Sequence, residues 1–97
     1  MTTVCRGTAA ACNPAGLHVL AYAAGFTLWH YRTEVSLDDI ARPGFFDPAR
    51  ALLRPGDRIA VNVRHAGRFA AARDFCVLAD RPTGIIVEAI GAAAIAP

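Results

Sequence analysis

Ninety-seven residues confine this chain to one domain with a single core. An apolar share of 55% excludes disorder over the whole length, although much of it is alanine, which buries little area per residue. Ten arginines, no lysine and eight acids leave a net charge of +2, and the arginines are scattered among the acids; that is a solvated surface rather than the concentrated basic face of a nucleic-acid binder.

Residues 1–16 are small and turn-prone, and Asn13-Pro14-Ala15-Gly16 reads as a turn. They are expected to form an extended N-terminal arm, ordered only by a partner. The apolar stretch from Leu17 to Trp29 carries His18 and is too short to span a bilayer. No charged segment followed by a clean apolar run and a cleavage site appears, so the chain is expected to be soluble, made in the cytoplasm, and free of membrane. From Phe26 to Arg32, aromatic and branched residues alternate through Trp29 and Tyr31, the pattern of a strand covered on both faces.

Ser36 then starts a short helix: its hydroxyl can cap free backbone N–H groups, and Asp38 and Asp39 sit where the helix dipole favours negative charge. Pro43-Gly44 ends it. Asp47 is expected to cap a second short helix with Pro48 at its first position, and Phe45 and Phe46 to staple onto Ala51 and Leu52. Arg54-Pro55-Gly56-Asp57 carries proline and glycine at the central positions of a type II turn.

Ile59, Val61 and Val63 alternate with polar neighbours, a half-buried strand. Ala66-Gly67 suits a hairpin, Asp74 to Leu78 a third strand, Arg81-Pro82-Thr83-Gly84 a turn, and Ile85 to Ile90 a fourth strand. Residues 91–97 read as a C-terminal tail. Spacings this short leave no room for helical crossovers, so the sheet should be mainly antiparallel. The expected fold is mainly β: a small antiparallel barrel or sandwich over residues 17–90, with one or two short helices and extended termini.

Catalytic chemistry needs a nucleophile, a base and an orienting group that converge. Ser36, the only serine, has the flanks of a helix cap. Asp38 and Asp39 are adjacent on a helix, so their side chains diverge. His65 and Cys76 fall on neighbouring strands without further support. Cys5 and Cys12 could bridge each other or join a metal with His18, but the three cysteines have no zinc-type spacing, and Cys76 reads as a small buried hydrophobe. No catalytic residue, metal or cofactor is expected. Trp29, Tyr31, Arg32, Phe45 and Phe46 are the candidate partner contacts, since Trp, Tyr and Arg concentrate in interface anchors. Ser36, Asp47, Pro55, Gly56 and Asp57 are structural caps and turn residues.

The segments His30-Tyr31-Arg32-Thr33-Glu34, Gly44-Phe45-Phe46-Asp47 and Leu52-Leu53-Arg54-Pro55-Gly56-Asp57-Arg58-Ile59 resemble a group of small proteins of tailed bacteriophages and prophage-like elements. The resemblance covers about a third of the chain. It implies a head decoration or head fibre protein of the virion, a homo-oligomer or present in many copies on the particle, with the major capsid protein or other virion proteins as partners. A second resemblance, over residues 47–62, is to the short helix, turn and strand of PDZ domains, and implies a peptide-binding module with a carboxylate loop and a long second helix.

Overall fold

The computed structural model describes residues 11–82 and 84–97. They form one five-stranded sheet in the order of the sequence: β1 (Leu17–Ala23), β2 (Phe26–Thr33), β3 (Arg58–His65), β4 (Arg68–Arg81) and β5 (Gly84–Ile95). The fold is mainly β, as expected, but the sheet is open. β1 and β5 lie at opposite edges, so among the described residues there is neither a barrel nor a second sheet. Residues 34–57 take the place of a second sheet, laying the short helix α1 (Leu37–Ile40) and a 3-10 turn (Asp47–Ala49) over one face.

That connection also makes the sheet mixed. β2 and β3 pair in parallel from Leu28↔Arg58 to Thr33↔Val63, while the other three ladders are antiparallel. Parallel neighbours need a crossover of a dozen residues or more, and residues 34–57 supply one. The short spacings that favour antiparallel pairing hold for the other joints, but the 24 residues between β2 and β3 are long enough for a crossover.

Two-residue turns close the β1–β2 and β3–β4 joints. Ala23↔Phe26 closes β1–β2 over Ala24-Gly25, and His65↔Arg68 closes β3–β4 over Ala66-Gly67. All four central residues have positive φ, the type I′ pattern whose twist matches paired strands.

The core lies between the sheet and the crossover. Alternation along β3 turns Ile59, Val61 and Val63 inward, where they meet Trp29 and Tyr31 of β2, Phe75 and Val77 of β4, and Ile85 and Val87 of β5. Ile40, Phe45, Phe46, Ala49 and Leu53 close over them. Tyr31, Phe45 and Phe46 pack edge to face, with Phe45 and Phe46 ring centres 5.0 Å apart. Ala51 and Leu52 are exposed, so the two phenylalanines anchor on the sheet rather than staple a helix.

Both expected tails are partly strand or core. Residues 91–95 continue β5, with Ile95 opposite Ala71, and the Ala96 N–H donates to Ala70 O. At the other end Cys12 is buried, its N–H donating to Phe45 O, and the Asn13 N–H donates to Tyr31 Oη. The arm expected over residues 1–16 therefore docks on the domain from residue 11; residues 1–10 fall outside the described region. β1 itself was not expected as a strand. Its glycine-free but alanine-rich sequence lacks the alternation that marks one.

Candidate functional site

Two aspartates fix the crossover. Asp57 follows the Arg54–Asp57 turn, whose Asp57 N–H donates to Arg54 O and whose Gly56 has φ +96°, as a type II turn requires. Its carboxylate is buried and accepts three N–H donors: Thr27 N on Oδ1 at 3.0 Å, and Trp29 Nε1 and Arg54 N on Oδ2, each at 3.1 Å. A buried carboxylate persists only with such satisfaction. Among the described residues no side-chain cation pairs with it, so its role is to join the start of β2 to the start of β3.

Asp47 does not cap a helix as expected. Phe46 holds the cap position without a side-chain bond, and Asp47 reaches across to β5, where Oδ1 accepts the Ile85 N–H at 2.7 Å. Gly84 makes the approach possible. A Cβ there would stand 3.0 Å from Gly44 Cα and 3.1 Å from Asp47 Oδ1. Ser36 does cap α1, its Oγ accepting the Asp39 N–H at 3.3 Å. Pro55 and Gly56 are exposed in their turn.

The candidate partner contacts divide sharply. Trp29, Tyr31, Phe45 and Phe46 are all buried in this chain's own core and offer no surface to a partner; only Arg32 is exposed. Their aromatic character marked a core that closes beneath a crossover. Cys76, expected in the core, is instead half-buried on the uncovered face of the sheet, in the row Leu28, Arg58, Cys76, Glu88. His65 and Cys76 do not meet: Cys76 pairs with Arg58, seven residues along β3 from His65, about 23 Å away.

Cys12 carries a perturbed thiol. Burial pushes its thiol up to about 11, and the Asp47 charge adds to that against the pull of the Ala49 backbone N–H. It is a protonated, packed side chain and not a nucleophile. Among the described residues no cluster of three His, Cys, Asp or Glu is placed to hold a metal, and Cys5 lies outside them.

Available surface lies elsewhere. On the uncovered face, His18 of β1 stands directly opposite His30 of β2, and His30 Nε2 lies 3.1 Å from Asn62 Nδ2. With Arg32, Asn13, Ala15 and Gly16 these histidines line a shallow depression of about 480 Å³. It can receive an acidic group.

The edge beside it is more distinctive. β1 is the end strand of the sheet, and beyond Leu17 every residue of it is exposed. Val19 and Leu20 are each 57% exposed and Tyr22 is 72% exposed. Such large apolar groups on a free edge are what isolated domains usually protect. The sequence signal was present in the uncharged run from Gly7 to Tyr31, but without the strand assignment it had no direction. Comparisons with protein-family models, curated proteins and solved structures find no match for this chain.

The PDZ-like expectation needs a second helix to flank a peptide groove. Residues 66–82 instead form a hairpin turn and the long strand β4, and α1 is the only α-helix among the described residues. A peptide carboxylate would have no groove wall there.

Proposed function

We propose that this chain is a non-enzymatic structural component of a tailed-phage-type virion, a head decoration or head fibre protein that works by contact. The observation that carries a contact role is the open sheet: one uncovered face and two free edges, the β1 edge bearing Val19, Leu20 and Tyr22 in water. The virion assignment rests on the resemblance over residues 30–34, 44–47 and 52–59. Those segments supply Tyr31, Phe45, Phe46, Asp47, Leu53 and Asp57, the residues that seat the crossover, so the likeness is one of fold-determining positions. Partners would be the major capsid protein or other virion proteins, met in many copies. Each docked copy adds buried contacts that stabilise the particle by mass action.

The test mixes soluble protein with undecorated particles, and separately with peptides bearing free or amidated C-termini. Saturable attachment to particles, with no carboxylate-dependent peptide binding, is the expected result. Micromolar binding to free C-termini that amidation abolishes would replace the virion reading with a peptide-binding one.

A further inference from the structure

The β1 edge has a geometry that fits itself. Within β1 the pairing to β2 shifts at Leu20, so that Val19 stands opposite Trp29 and Tyr22 opposite Thr27. Trp29 and Thr27 are two apart on β2 and share a face, so the bulge brings Val19 and Tyr22 onto one face although they are three apart. An antiparallel copy laid along the free edge with Val19 opposite Tyr22 of that copy also has Tyr22 opposite its Val19, and Leu20 and Ala21 pair in the same reciprocal way. Branched-aliphatic and aromatic residues directly opposite each other are favourable cross-strand pairs, and this register makes the pair twice.

We propose that β1 is a homodimer interface, in which two copies join edge to edge through antiparallel β1 strands about a two-fold axis and fuse their five-stranded sheets into one. The occupant is a second copy because an isologous contact requires a patch that tolerates its own image. This one carries no Asp, Glu, Arg or Lys anywhere from Gly7 to Tyr31, so there is no like charge to repel and no unpaired charge to bury. The opposite edge is less suited, since β5 carries Glu88 within the strand. Pairing would cover Val19, Leu20 and Tyr22 and satisfy the outward backbone groups of β1. The proposal goes beyond the virion reading and is tested without particles, so either can fail alone.

The full chain would be examined by sedimentation velocity over a wide concentration range, beside Val19→Lys, Tyr22→Lys and, on the opposite edge, Ile95→Lys. The wild type and Ile95→Lys should sediment as dimers. Val19→Lys and Tyr22→Lys should sediment as monomers with the wild-type circular dichroism spectrum. Because a lysine on a strand could also disturb folding, hydrogen exchange on the wild type supplies a second readout: β1 amides should gain protection as concentration rises, while β5 amides stay unchanged. A wild type that remains monomeric at its highest soluble concentration overturns the proposal. So does a dimer that survives both β1 lysines, a dimer lost only in Ile95→Lys, or concentration-independent exchange along β1.

Discussion

The indole of Trp29 donates its Nε1–H to Asp57 Oδ2 at 3.1 Å, and both partners are buried. One residue lies in β2 and the other at the mouth of β3, so this bond and its companion from Thr27 N set the two parallel strands in register across the crossover. A parallel pair has no tight turn to fix its register, and here a carboxylate does that work.

Removing that carboxylate should therefore be the most damaging polar change in the protein. Asp57→Ala leaves three N–H donors without their acceptor, the Trp29 indole buried and the Thr27 and Arg54 amides part-buried, and an orphaned buried group costs about 1–3 kcal/mol. A loss of roughly 3 kcal/mol or more in urea unfolding is expected, against about 1–2 kcal/mol for Trp29→Phe, which keeps most of the ring volume. In the double variant the two losses should be well short of additive. Full additivity would show that the bond does not couple them.

Asp47 and Gly84 should behave as one unit. Asp47→Ala removes the acceptor for the Ile85 N–H and is expected to cost about 1–3 kcal/mol. Gly84→Ala meets both Gly44 Cα and the Asp47 carboxylate, at a φ of +136° that side chains rarely adopt, so it should destabilise as well. Thermal melts of the single and double variants check this. A melting temperature unchanged by Asp47→Ala would disprove the cross-strand role.

The two hairpins can be improved. Ala24 and Ala66 sit at φ +52° and +51°, a left-handed conformation that costs an ordinary residue about 1–2 kcal/mol. Asn-Gly is the favoured pair for a type I′ turn. Ala24→Asn and Ala66→Asn should each raise stability by about 0.5–1 kcal/mol, nearly additively because the turns are independent. Denaturation midpoints that do not rise would show that the turns are not in this conformation in solution.

The Cys12 thiol gives a pH signature. Its folded value of about 11 exceeds the ordinary 9.0, so the native state favours the protonated form. Stability from this group is full below pH 9 and falls between pH 9 and 11, as the unfolded thiol ionises while the folded one stays neutral. The stability difference between wild type and Cys12→Ala should shrink across that window and be level below it. Paired urea titrations at several pH values measure it; a difference that grows with rising pH would contradict a buried neutral thiol.

Local patterns in the sequence were legible where one element dictates its own form. The β3 alternation, the Ser36 cap, the Pro55-Gly56 turn and the Ala66-Gly67 hairpin follow from neighbours in the chain, and all are present. What distant residues decide was not legible. Asp47 has the sequence setting of a cap, yet its carboxylate finds the Ile85 N–H thirty-eight positions away. Trp29, Tyr31, Phe45 and Phe46 have the composition of a contact patch, and only a covering crossover makes them core. Conversely, the alanines that hid β1 and the end of β5 carry weak strand propensity, and those segments are strands because β2 and β4 offer partners.

Sequential strand order also has a kinetic meaning. Each ladder joins strands that follow one another in the chain, so the β1–β2 and β3–β4–β5 units can zip from short turns with little loop entropy to overcome. A single long closure remains, the return of residues 34–57 that brings β3 against β2. That step is expected to set the pace of folding, and the Trp29 indole, whose bond to Asp57 forms only when β3 reaches β2, is placed to report it.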